Sequence, residues 1–260
     1  MINFDCQRNA YNLLGNYAKL DKHSIVLEGY SGCGKSYIAK QYARLANIDD
    51  VVEVPAKVND IKDSFINFLS LENKVLFIIE NLDSGVPACS YVLLKFMEEP
   101  RNNMYIIVTC RDKNNIPDTI LSRSMTASIG PATESDISKY KNFMYKDKTV
   151  SNYILDSCAK NFSDVDEIYN LTEEQVNYYS MWNNLKVFES AVNQISWKLG
   201  HYSDGKEITS NLLIKYLMSV NINNEHIFNS CRKCLDSLND GKIARYLTLS
   251  KLAFDIKYCE

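Results

Sequence analysis

A chain of 260 residues with 46% hydrophobic and 23% charged residues has the composition of a soluble globular protein and is long enough to bury a real core. Its net charge of −3 excludes a protein that coats nucleic acid on charge alone, although a local basic stripe is compatible with it. The longest apolar runs, such as Val75 to Ile79, are far too short to span a bilayer. Met1 to Cys6 lacks the basic-then-apolar order of a secretory signal, so a cytoplasmic protein with no membrane partner is expected.

In chain order, Ile25-Val26-Leu27 is a short apolar run leading into glycine-rich sequence, and Ser36 to Ala46 carries Ile38, Tyr42 and Leu45 at helical spacing. Val51 to Val54 predicts a second strand. Ile61, Phe65, Phe68 and Leu69 mark one face of a second helix. Val75 to Ile79 is apolar throughout, as expected of a strand covered on both faces of a parallel sheet. Pro87 can open a third helix without losing a hydrogen bond, with Cys89, Val92, Leu93, Phe96 and Met97 on its apolar face and Pro100 at its end. Met104 to Thr109 and Met125 to Ile129 complete five strand candidates. This alternation predicts an α/β fold, a doubly wound parallel sheet.

After Gly130-Pro131 the patterns become helical, beginning at Thr133-Glu134-Ser135-Asp136 with acidic residues in a first turn. Helices are predicted near 135–145, 150–160, 164–171, 173–200, 208–220, 224–239 and 241–258. The expected organisation is a nucleotide-binding domain over 1–131, a small helical lid over 132–172 and a larger helical domain over 173–260. The eight cysteines are expected to be reduced thiols. Cys231 and Cys234 form a single C-x-x-C without a second pair or histidine cluster to complete a zinc site, and are read as two thiols on a helix face.

Gly29-Tyr30-Ser31-Gly32-Cys33-Gly34-Lys35-Ser36 fits G-x-x-x-x-G-K-[ST] at every position, between an apolar strand and an amphipathic helix. Glycines let backbone N–H groups turn inward around phosphate oxygens, and the helix N-terminus adds partial positive charge. Lys35 is expected to reach the β- and γ-phosphates and the Ser36 hydroxyl to ligate magnesium, so ATP with Mg2+ is the expected ligand. Glu80, at the end of the Val75–Ile79 strand, is the candidate carboxylate for the magnesium or its water. Asn81 stands where a glutamate often polarises the attacking water. Asparagine can orient a water but cannot take its proton, which predicts slow or absent intrinsic hydrolysis.

Four runs in order carry a family resemblance: Val75-Leu76-Phe77-Ile78-Ile79-Glu80-Asn81-Leu82-Asp83, Leu93-Leu94-Lys95-Phe96-Met97-Glu98-Glu99-Pro100, Tyr105-Ile106-Ile107-Val108-Thr109, and Ile116-Pro117-Asp118-Thr119-Ile120-Leu121-Ser122-Arg123. They resemble the AAA+ subunits of sliding-clamp loaders, above all the delta-prime subunit of bacterial DNA polymerase III, and the likeness covers residues 24–131. It implies a P-loop AAA+ module followed by a helical lid and a helical collar that oligomerises. It also implies that Arg123, in Ser122-Arg123-Ser124, is an arginine finger for an adjacent subunit's γ-phosphate, and that Thr109 lies in the sensor region of the fourth strand. The implied partners are other clamp-loader subunits, a sliding clamp, and primer–template DNA gripped through its phosphates.

The sequence departs from the family in several places. Ser124 replaces the usual cysteine, the zinc-binding cysteine insert is missing between Ser36 and Val75, and the segment before the first strand is short for an adenine-contacting element. No arginine occurs at Ser163-Asp164-Val165-Asp166, near where relatives carry a sensor arginine. Two further readings are a helicase loader or similar AAA+ replication adaptor, and a nucleotide-binding scaffold without turnover.

Overall fold

The computed structural model describes residues 4–68, 73–150, 153–173, 176, 210–240, 248, 251–252 and 254–255. Five strands, β1 (Ser24–Gly29), β2 (Asp50–Pro55), β3 (Val75–Glu80), β4 (Met104–Cys110) and β5 (Met125–Ile129), form one sheet in the order β2-β3-β4-β1-β5. Every neighbouring pair is parallel, as strand–helix alternation requires. The central strands β3 and β4 are buried along nearly their whole length, whereas β2 and β5 at the edges alternate between covered and exposed positions.

The pleat divides the sheet's side chains between two cores. On one face Leu76, Ile78, Tyr105 and Ile107 pack against α1 (Arg8–Lys19) and α2 (Lys35–Leu45), which contribute Leu14, Ile38 and Tyr42. On the other, Val75, Phe77, Ile79, Ile106 and Val108 pack against α3 (Val58–Phe68) and α4 (Pro87–Glu98), through Ile61, Phe65, Leu93 and Met97. Each fully buried large apolar side chain contributes about 1.5–3 kcal/mol. Pro87 sits in the first turn of α4. Cys89, Leu93 and Met97, four residues apart, are buried along its inner stripe, with Val92 and Phe96 partly buried beside them.

The strand order reverses around β1, which lies between β4 and β5. The carboxyl end of the strand at such a reversal opens a crevice where ligands bind. The phosphate-loop motif leaves β1 at this point, and Glu80 and Thr109 end or nearly end the strands alongside.

The helix α1 and the short turn Asp5–Gln7 before it did not show in the sequence pattern. Asn9, Asn12, Gly15 and Asn16 are poor helix formers. Tertiary burial of Ala10, Leu14 and Tyr17 along one stripe outweighs that propensity. Three further helices complete this part of the chain: α5 (Asp118–Leu121) leads into β5, and α6 (Glu134–Met144) and α7 (Tyr153–Ser157) follow it.

The chain divides into two compact units, Met1–Phe143 with Asn161–Ser163, and Met144–Lys160 with Asp164–Glu260. In the second unit, α9 (Ser210–Val220) packs on α10 (Glu225–Asp240), and Leu213, Leu217, Ile227 and Cys231 on these helices are buried. Cys234 is buried as well, and among the described residues no three metal-binding side chains cluster. Also among them, no helix is long and apolar enough to cross a membrane. The helices predicted at 208–220 and 224–239 correspond to α9 and α10. Those predicted at 173–200 and 241–258 lie almost wholly outside the described residues. Asp164, in α8 (Phe162–Tyr169), pairs with Lys215 of α9 at 2.6 Å and accepts the Lys160 N–H at 2.9 Å. The stretch without an arginine therefore carries a structural ion pair.

Candidate functional site

The motif loop runs from Gly29, the last residue of β1, to Lys35 and Ser36, which open α2. Gly32 and Gly34 take left-handed backbone conformations, at φ +73° and +88°. Both also lie against other side chains: a Cβ on Gly32 would overlap Asn161, and one on Gly34 would overlap Gln7. The left-handed backbone alone makes glycine the fitting residue at both positions. Tyr30 and Ser31 are exposed at the rim. Cys33 is buried, and that burial pushes its thiol above the usual range, against the pull of Lys35. It is a poor thiolate and therefore a packing residue.

Lys35 is buried, and its Nζ donates to the Gly29 carbonyl at 2.8 Å and the Tyr30 carbonyl at 3.0 Å. The ammonium is therefore held over the loop on neutral acceptors. The Ser36 hydroxyl donates to Glu80 Oε1 at 3.0 Å. A hydroxyl and a carboxylate side by side, with a lysine over a glycine-rich loop, is the oxygen donor set that suits a magnesium ion and a phosphate chain.

Thr109 and Asn81 meet through the backbone. The buried Thr109 hydroxyl accepts the Asn81 N–H at 3.0 Å and donates to the Ile79 carbonyl at 3.4 Å. It pins the end of β3 to β4. Asn81 is exposed and left-handed, at φ 50° and ψ 52°, a conformation asparagine tolerates better than most residues. Arg123 is not brought to the loop: its guanidinium bonds the Thr119 carbonyl at 3.0 Å and Glu98 at 3.0 Å, at a half-exposed surface. A pair this exposed contributes little to stability and leaves the arginine available for another partner.

Two segments that the motif does not include back the loop. Gln7 is buried and its side-chain amide donates to the Cys33 carbonyl at 2.8 Å. Asn161 lies against Gly32, and the Phe162 N–H donates to the Gly32 carbonyl at 3.0 Å. The Phe162 ring packs on Phe4 and Tyr140. Separations of 26 residues and more leave no local pattern by which these contacts could be found.

A five-stranded parallel sheet, a glycine loop at its reversal point and an acidic strand end are the parts of an α/β fold of the P-loop kind. Residues 52–133 match the family model for DNA polymerase III, delta subunit. That segment runs from β2 past β5 and carries Glu80, Asn81, Thr109 and Arg123. Among solved structures, a DNA polymerase III gamma subunit-related protein from Thermotoga maritima is similar at 16% identity and a TM-score of 0.56, covering 95% of this chain and 98% of that one. Two point variants of Thermotoga maritima RuvB are similar at 13% and 10% identity, both with a TM-score of 0.51. They cover 89% and 95% of this chain, and 75% and 81% of their own. No curated protein sequence matches. The family match covers residues 52–133, and the structural likenesses show the fold.

Proposed function

We propose that this chain binds ATP with magnesium at Gly29–Ser36 and acts as a subunit of a DNA sliding-clamp loader. The observation that carries the reading is the meeting of Lys35, Ser36 and Glu80 at the carboxyl ends of β1 and β3. Lys35 would exchange its two loop carbonyls for β- and γ-phosphate oxygens, while Ser36 and Glu80 would hold the magnesium ion or its water. The bound ion supplies charge neutralisation on the phosphates.

Residues 132–172 and 173–260 would serve as lid and collar, and Arg123 would reach the nucleotide of an adjacent subunit. Bound nucleotide would favour the state competent to open the clamp and grip primer–template DNA, through phosphate contacts without sequence preference. Asn81 favours a second reading, a subunit that binds nucleotide without turning it over.

The first test is ATP binding by the full chain with magnesium present. Lys35→Ala should weaken it about 100-fold or more, the loss expected of two charge-assisted hydrogen bonds. Equal binding by the variant would remove the phosphate-loop reading. Intrinsic turnover should be slow, and a rapid rate abolished in Lys35→Ala would exclude the non-hydrolysing reading. Capture of partners in the presence of ATP then tests the assembly. A sliding clamp or other loader subunits support the proposal, whereas a replicative helicase without a clamp would make the chain a helicase loader.

A further inference from the structure

We infer that Gln7 is a positioning residue for phosphate binding, one that sets the direction of a backbone N–H in the loop without touching the ligand. The inference rests on the nucleotide-binding reading above. The Cys33 carbonyl and the Gly34 N–H belong to one peptide group, and no peptide in the described chain is cis. In a trans peptide these two groups point in opposite directions. Gln7 Nε2 holds the Cys33 carbonyl at 2.8 Å, so the Gly34 N–H is directed away from Gln7, to the side where a phosphate would lie. The preceding peptide is treated in the same way. The Phe162 N–H holds the Gly32 carbonyl at 3.0 Å, which directs the Cys33 N–H away from Phe162. The Cys33 N–H donates to the Tyr30 carbonyl at 3.4 Å, a long bond that a phosphate oxygen could replace.

Gln7 is itself held firmly. The turn that carries it is fixed by Asp136, whose carboxylate accepts the Asp5 N–H at 2.7 Å and the Cys6 N–H at 3.2 Å. The Cys6 carbonyl in turn accepts the Gly130 N–H at 3.2 Å, just beyond β5. A glutamine donor locked on one carbonyl from behind removes much of the rotational freedom of the peptide. Pre-organised N–H groups bind anions more tightly because they are not reordered on binding.

The test compares the wild-type full chain with Gln7→Met, a variant of similar volume with no donor, by calorimetric titration with ATP and with inorganic tripolyphosphate. Both ligands should bind about tenfold more weakly to the variant, since the lost term is one hydrogen bond acting on the phosphate nest. Unchanged affinity for both would overturn the inference, as would a loss confined to ATP, which would make Gln7 a base-reading residue. Failure of the wild-type chain to bind either ligand would instead overturn the nucleotide-binding reading, and the inference with it. Amide NMR of the ligand-free protein gives a second readout. The Cys33 and Gly34 resonances should move or split in Gln7→Met while those of β3 stay in place, and a shift of the whole spectrum would mean a general structural role and sink the positioning one.

Discussion

The two sides of the phosphate loop are built in different ways. On the side that would face the ligand stand Lys35, Ser36 and Glu80, supplied by the loop itself and by the end of the β3 strand. On the back stand Gln7, Asn161 and Phe162, supplied by the N-terminal turn and by a segment more than a hundred residues downstream. The front carries the charges and hydroxyls that chemistry demands. The back carries amides and aromatic rings that fix the backbone on which the front is mounted.

Arg123 belongs to neither side, and its loss is expected to have the largest effect on rate. Arg123→Ala should leave ATP binding by the isolated chain unchanged and reduce turnover in the assembly by about 10³–10⁵, the range of arginine fingers in other NTPases. Nucleotide titration of the isolated variant, set beside turnover in the reconstituted assembly, checks both halves. Weakened binding by the isolated variant would place the arginine on the front of its own loop and collapse the two-sided description.

A smaller effect, aimed at the back, comes from Gly32→Ala. The left-handed backbone at this position costs a residue with a Cβ about 1–2 kcal/mol, and the added methyl would displace the Asn161 side chain. Phosphate binding should fall by roughly five- to thirtyfold, with the unfolding midpoint lowered slightly. A variant that binds normally would mean that the loop adjusts freely, and that the back does not control the front.

The front was legible in the sequence because its chemistry is local. The glycines, Lys35 and Ser36 are contiguous, and Glu80 ends an apolar run whose burial is evident from Val75 to Ile79. The same runs disclosed the parallel sheet, because strands covered on both faces have no polar positions to spare. The back was not legible. The helix α1 is poor in helix formers and owes its existence to a partner face. Gln7, buried just before it, stands among Asn3, Asn9, Asn12 and Asn16 with nothing in the local sequence to set it apart. Asp136 lies between these cases: Thr133-Glu134-Ser135-Asp136 was readable as a helix start, but not as the anchor of a turn some 130 residues earlier.

Asp136 gives the effect on stability that is most easily titrated. Its carboxylate is fully buried, which alone would raise its pKa. The hydrogen bonds donated by Thr133, Asp5 and Cys6 outweigh that and hold it below the ordinary value of 3.8. A carboxylate depressed in the folded state contributes stability that is fully present above its unfolded pKa and is lost as pH falls through the folded one. Asp136→Asn keeps one acceptor but turns an NH2 group toward N–H donors, and should cost about 1–3 kcal/mol at pH 7. Urea unfolding of both proteins measures this, and the gap should narrow as the pH drops below 3.8. A gap that stays constant into acid would show that the ionised carboxylate is not what holds the Asp5–Gln7 turn. In that case Gln7, and the peptide it orients, would be held by the packing of Phe4 on Phe162 and Tyr140 instead of by charge.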